Sequence, residues 1–223
     1  MRHRLALALD VDDLGAATRL YGELAEHFGI AKVGLELWAA AGPATVPALT
    51  DLGAEVFLDL KLHDIPTTVG RAATVLGRTG ARFVNFHVAG GSAMLRAAVD
   101  GLAAGAKEAG LAAPTALGVT VLTSEPDATP ALLEERVAVA LDAGCGGLVC
   151  GAPDLAVIRS LAPGATLAVP GTRPPGVDRH DQGRTDTPAA ALAAGADVLV
   201  VGRAVTAAPD PGAAARSLVM SIR

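Results

Sequence analysis

Two cysteines in 223 residues, Cys145 and Cys150, are too few for a disulfide framework. Cys150 closes an apolar run where a small buried thiol is the ordinary role, so neither residue is assigned to a disulfide or a metal. Long uncharged apolar stretches are also missing: the longest candidates are broken by Pro, Gly and Thr, and none reads as a membrane span. The opening Met-Arg-His-Arg, followed by Leu5 to Leu9, imitates a secretory leader, but its apolar run stops after five residues at Asp10 and Asp12, short of the usual ~7 to 15. A cytoplasmic protein is expected. No basic stripe is present either: net charge is −5, pI is about 5.5 and the cations are scattered, which argues against a nucleic-acid partner but leaves room for a small anion.

What the chain has is an Ala-rich core, with mean hydropathy +0.43, and a size that suits one large domain spanning 1–223. Eight short β-like runs are predicted: Leu5 to Leu9, Ile30 to Leu35, Val56 to Leu60, Phe83 to Phe86, Thr115 to Leu122, Gly147 to Cys150, Thr166 to Val169 and Val198 to Val201. Between them, stretches such as Leu14 to Phe28, Ser92 to Lys107 and Leu132 to Ala143 carry apolar residues at helical spacing, several closed by Gly. Eight alternating units predict an α/β fold of the (β/α)8 TIM-barrel type. A doubly wound open sheet would favour a Gly-rich loop after its first strand, and Asp10-Val11-Asp12-Asp13 is not one.

Strand parity locates the chemistry. Residues 59 to 68, Asp-Leu-Lys-Leu-His-Asp-Ile-Pro-Thr-Thr, place charge where a strand would otherwise bury hydrocarbon. Asp59 and Lys61, two apart, project from one face with Phe57, while Val56, Leu58 and Leu60 share the other. The same pattern puts Ala6, Ala8 and Asp10 together on strand 1, and Lys32, Gly34 and Glu36 on strand 2. Helices cover the outside of a barrel, so these polar series point inward and converge at the C-terminal rim, where barrel active sites lie. Asp10, Lys32, Asp59 and Lys61 thus aim at one spot.

A second site is expected after strand 8, where Gly202 and Arg203 open a helix and offer backbone N–H groups and a guanidinium to a phosphate. The segment at about 170–188, rich in Pro, Gly, Arg and Asp, is too long for a plain connection and reads as a phosphate-closing loop carrying Arg173, Gln182 and Arg184.

These residues resemble the orotidine 5′-phosphate decarboxylase family, which converts orotidine monophosphate to UMP. The likeness runs over essentially the whole chain, through Leu-Ala-Leu-Asp-Val (7 to 11), Lys-Val-Gly-Leu-Glu-Leu-Trp (32 to 38), Phe-Leu-Asp-Leu-Lys-Leu-His-Asp-Ile-Pro-Thr-Thr-Val (57 to 69), Val-Asn-Phe-His-Val-Ala-Gly-Gly (84 to 91), Val-Thr-Val-Leu-Thr-Ser (119 to 124), Pro-Gly-Thr-Arg-Pro (170 to 174), Asp-Gln-Gly-Arg (181 to 184) and Val-Gly-Arg (201 to 203). The resemblance implies that Lys61 is the proton donor, that Asp59, Asp64 and Lys32 complete a charged array, and that Asp10 and Lys32 hold the ribose. It further implies Thr123 against the pyrimidine, and Gln182, Gly202 and Arg203 on the phosphate with Arg173 nearby. It implies a homodimer in which Asp64, Ile65 and Thr68 reach the neighbouring subunit's site. Thr67, Val169, Thr172 and Thr185 depart from the family's pattern, outside the charged array.

The expected chemistry is a cofactor-free, metal-free decarboxylation, because a fixed ammonium can stabilise a developing carbanion and then protonate it. Three alternatives stay open. A metal-dependent phosphosugar epimerase or aldolase would use His63 and His87, although Lys61 would oppose a cation there and Val169-Pro170-Gly171 offers no ligand. A keto-sugar-phosphate decarboxylase would share Asp-x-Lys-x-x-Asp, but Ile65-Pro66 with Thr68 favours the nucleotide. A non-catalytic nucleotide binder would keep Arg203 and Gln182 without reason to hold Lys61 between carboxylates.

Overall fold

The computed structural model describes residues 1–122, 129–172 and 187–222. Eight parallel strands close into a barrel in sequence order: β1 (Leu5–Leu9), β2 (Ile30–Val33), β3 (Glu55–Leu62), β4 (Phe83–His87), β5 (Thr115–Val119), β6 (Gly147–Val149), β7 (Thr166–Pro170) and β8 (Val198–Val201), with β8 paired back to β1. Around them run α1 (Leu14–Leu24), α2 (Leu35–Ala41), α3 (Thr45–Thr50), α4 (Pro66–Gly77), α5 (Gly91–Ala109), α6 (Pro130–Asp142), α7 (Leu155–Leu161), α8 (Pro188–Ala193), α9 (Arg203–Thr206) and α10 (Pro211–Ser221). This is the expected (β/α)8 barrel. None of the described helices is long and apolar enough to cross a membrane.

Helix starts follow from local chemistry. Asp13, Thr129, Thr187 and Asp210 each accept a backbone N–H from the first turn of α1, α6, α8 and α10, and in the last three a proline follows at the first helical position, where its missing N–H costs nothing. Helices α4 and α5 approach closely because glycine lies between them: a Cβ on Gly105 would stand 1.9 Å from the Thr74 carbonyl oxygen, and one on Gly101 would stand 2.4 Å from that of Gly70.

The two-residue period separates two cores. Leu5, Leu7, Leu9, Ala31, Val33, Val56, Leu58 and Leu60 pack outward against the helices. Ala6, Ala8, Ile30, Phe57, Phe83, Leu117, Val119, Val149, Ala168, Val198 and Val200 fill the barrel. Inward parity therefore holds for strands 1 and 3 and for Lys32.

Strand 2 departs from expectation. It ends at Val33, not Leu35, because Gly34 caps α2, and Leu35–Ala41, rich in Ala and Leu, turns helical. Glu36 is thereby carried onto the exposed first turn of α2 and leaves the inward series. Strand 5 stops at Val119, short of Leu122: beyond it the Thr120 hydroxyl donates to the Val149 carbonyl, 3.1 Å away.

Candidate active site

The C-terminal mouth of the barrel opens into a cavity of about 570 Å³. Asp10, just past β1, Lys32 on β2, and Asp59 and Lys61 on β3 line one side, while Gly202 and Arg203 line another. The rest of the wall is largely apolar, with Val119 from β5, Val149 from β6 and Val200 from β8.

The four charged residues form one continuous chain of contacts. Lys32 Nζ lies 3.0 Å from Asp10 Oδ1 and 3.4 Å from Asp59 Oδ2, and Lys61 Nζ lies 2.5 Å from Asp59 Oδ1. Lys32 is 7% exposed, and two carboxylates face its ammonium in place of solvent. Burial pushes the Asp59 carboxyl up, but the Lys32 and Lys61 ammoniums, with hydrogen bonds from Lys61 and Asn85, outweigh it and hold the group below the usual carboxylate range. Opposite charges about 4 Å apart attract by ~4 kcal/mol at an effective dielectric near 20, which draws these side chains together.

Strand β3 is irregular at this point. Leu58 pairs with Val84 and Leu62 with Phe86, so Asp59, Leu60 and Lys61 together stand opposite Asn85 alone. Lys61 has φ 48°, the one positive φ at a non-glycine residue among those described. Such bulges concentrate at barrel rims and beside active sites, where they re-aim side chains. Asn85 is fully buried, and its carboxamide bridges the irregularity: Oδ1 accepts the Lys61 backbone N–H at 2.7 Å and Nδ2 donates to Asp59 Oδ1 at 2.6 Å. The sequence reading had not singled out Asn85, although it sits two residues after Phe83 and hence on the inward face of β4.

Other expected site residues divide three ways. Asp64 and Thr68 are exposed and do not line the cavity of their own chain, and the Asp64 carboxylate accepts the Ile65 backbone N–H at 2.6 Å. The alternation of Lys32, Asp59, Lys61 and Asp64 is thus not assembled within one chain. Thr123, Arg173 and Gln182, with Arg184 and Thr185, lie outside the described residues. Thr172 is buried on the cavity wall with no hydrogen bond to its hydroxyl among the described residues, so it packs there as an aliphatic side chain would. His63 and His87 lie with ring centroids 5.5 Å apart and planes tilted by 39°, and no group of three His, Cys, Asp or Glu side chains suited to a metal occurs among the described residues.

Fold and site define a class: a (β/α)8 barrel with a charged pocket at its C-terminal mouth, lined by two lysines, two aspartates and an arginine. The model of the orotidine 5'-phosphate decarboxylase / HUMPS family matches residues 3–218, and the chain belongs to that family. It is 44% identical over 222 residues to the orotidine 5'-phosphate decarboxylase of Anaeromyxobacter sp. (strain K), covering 98% of each chain. It is likewise 44% identical over 233 residues to the enzyme of that name from Moorella thermoacetica, covering 99% of this chain and 92% of the relative. The crystal structure of orotidine 5'-phosphate decarboxylase from Lactobacillus acidophilus superposes with a TM-score of 0.83 at 31% identity, over 98% of both chains.

Proposed function

We infer that this chain is a carbon–carbon lyase that converts orotidine 5′-monophosphate to UMP in pyrimidine biosynthesis, with Lys61 delivering a proton to C6. The observation that carries the reading is the contact chain Asp10, Lys32, Asp59, Lys61 on the wall of the mouth cavity. Relatives named for this activity, 44% identical across nearly the whole chain, support it.

In this reaction the bond from C6 to the carboxylate breaks, CO2 departs, and the electron pair stays in an sp2 orbital at C6. No carbonyl is placed to delocalise that pair, so the barrier in water is very high. The Lys61 ammonium, held against Asp59, stabilises the developing charge and then transfers its proton from Nζ to C6, leaving a neutral amine that solvent reprotonates. Asp10 and Lys32 take the ribose hydroxyls, and Gly202 and Arg203, which follow β8 into the same cavity, hold the phosphate. Binding energy gained at that remote phosphate is available to lower the barrier at C6. Gln182 and Arg173, with a phosphate-closing role for the segment at about 170–188, and Thr123 against the base, complete the proposal, as do the single domain over 1–223 and a cytoplasmic location.

The same proposal includes a homodimer in which Asp64, Ile65 and Thr68 serve the neighbouring site. Residues 63–68 are all exposed, Ile65 to 65%, in the segment that follows the catalytic strand. An exposed aliphatic beside an exposed aspartate, just past β3, fits a surface that a second copy covers. Mixing Lys61→Ala with Asp64→Ala chains after unfolding tests this, because a heterodimer then has one site with both lesions and one with neither. Random pairing makes half the dimers mixed and about a quarter of all sites intact. Activity no higher than the parents' sum would contradict the shared site.

The activity itself is tested by the loss of orotidine monophosphate absorbance on adding purified, EDTA-treated protein. Turnover that survives the chelator supports the proposal against a metal-dependent epimerase and against a pure binder. Absence of turnover with this substrate, but decarboxylation of a keto-sugar phosphate, would contradict it.

A further inference from the structure

We propose that Asn85 is the positioning residue of the proton-delivery step: its carboxamide closes the bulge in β3 and holds Lys61 and Asp59 in their working arrangement. The inference rests on the decarboxylase reading and extends it to a residue that does not line the cavity.

The argument begins with the backbone. Three residues of β3 stand opposite one of β4, so the ladder cannot supply Lys61 with its usual carbonyl partner. A buried N–H without an acceptor is destabilising, and the left-handed conformation of Lys61 (φ 48°) adds strain for a side chain with a Cβ. The Asn85 side chain answers both by placing Oδ1 2.7 Å from that N–H. This contact also fixes which way the amide faces, since a backbone N–H only donates and must meet oxygen. Nδ2 therefore points at Asp59, 2.6 Å from the same Oδ1 that receives Lys61 Nζ at 2.5 Å. Lys32 takes the other oxygen, Oδ2, at 3.4 Å.

One side chain thus grips the proton donor by its backbone and the donor's counter-ion by its carboxylate. Three simple replacements each fail to do both. Aspartate keeps an acceptor for Lys61 but loses the donor and sets a second carboxylate against Asp59; leucine has neither group; serine is too short to span both. Because Asn85 acts through Lys61 and Asp59, its loss should fall on turnover and spare the affinity for a nucleotide held by its ribose and phosphate.

The test uses the full chain, with wild-type turnover of orotidine monophosphate measured first; its absence would overturn the functional reading and the inference with it. Given an active wild type, Asn85→Ala is expected to lower kcat about 10- to 100-fold, the usual consequence of freeing buried polar partners, while UMP affinity by calorimetry stays within about threefold. A kcat within about threefold of wild type, or a UMP affinity that falls in step with kcat, would overturn the inference. Asn85→Asp gives a second reading that does not depend on the alanine variant folding. The groups facing Asp59 are Lys32 from β2, Lys61 from β3 and residue 85 from β4, with Asp10 beyond Lys32. Replacing a donor there by a carboxylate makes Asp59 easier to protonate, so the acid limb of the kcat profile moves to higher pH; an unmoved limb overturns the assignment.

Discussion

Arg159 at the N-terminal end of the barrel and Lys61 at the C-terminal end each lie against an aspartate, at 2.6 Å from Asp197 and 2.5 Å from Asp59. Their surroundings differ. The Arg159 guanidinium also donates to the carbonyls of Ala162, Pro163, Ala165 and Gly195, while Asp197 Oδ2 takes the Leu167 N–H at 2.8 Å, so the pair stitches the starts of β7 and β8 together. Arg4 adds further bonds to the Asp197 and Ala196 carbonyls. Lys61 makes no such web: its ammonium meets one carboxylate and fronts a cavity. The chain contains three lysines, Lys32, Lys61 and Lys107, and two of them are in that mouth. Every other ion pair among the described residues has arginine or histidine as its cation. Arginine, which keeps its proton, makes the ion pair that ties β7 to β8, and lysine, which can give its proton up, makes the ion pairs at the cavity.

The comparison predicts different injuries at the two ends. Lys61→Ala should reduce kcat/KM to below about one per cent while UMP affinity stays within about tenfold, because the ammonium acts on charge that exists only in the transition state. Steady-state kinetics and calorimetry check both halves. Arg203→Ala should cost about 2 to 4 kcal/mol in kcat/KM for the phosphorylated substrate and little for the nucleoside, the loss expected of a charge-assisted contact to the proposed phosphate position. Equal losses for both substrates would move Arg203 away from the phosphate. Arg159→Ala should leave the chemistry intact and lower the unfolding free energy by about 2 to 3 kcal/mol, from partners left without their donor. Urea unfolding measures that loss.

Two smaller effects follow from titration. Asp59 is held below its unfolded value, so its stabilising contribution is present above the unfolded pKa of about 4 and disappears as pH falls through the lower folded value. The urea midpoint should fall on acidification below about pH 4, and less so in Asp59→Asn. Burial pushes the Cys145 thiol up from 9.0 to about 11. A raised pKa gives the opposite sign: stability should be whole below about pH 9 and decline as pH approaches about 11, with a flatter curve in Cys145→Ala.

How much of this was legible beforehand depended on whether the signal was local. Alternation in Leu5 to Leu9 and in Val56 to Leu60 gave the strands and their inward faces, because a two-residue period is written in consecutive residues. The same rule failed at Gly34, where a glycine cap and the strong helix formers after it ended the strand and took Glu36 outside. The β3 bulge was hidden for a different reason: register belongs to two strands together, and nothing in Asp-Leu-Lys states that Asn85 faces all three residues. Parity carried on into β4 would have flagged Asn85 as an inward polar residue after Phe83, though not its grip on the Lys61 backbone. Asp64, which the family resemblance assigns to the neighbouring subunit's site, is exposed in its own chain, does not line that chain's cavity and accepts the Ile65 N–H.

The most direct test is the turnover of orotidine monophosphate per folded molecule in Lys61→Ala and Arg159→Ala, measured side by side with their unfolding free energies. The predicted result is a crossing: Lys61→Ala folded to within about 1 kcal/mol of wild type, because Asp59 keeps Lys32 and Asn85, yet nearly inactive, and Arg159→Ala less stable yet active whenever folded. Activity retained in Lys61→Ala, or lost per folded molecule to the same degree in both variants, would contradict the division between the two ends.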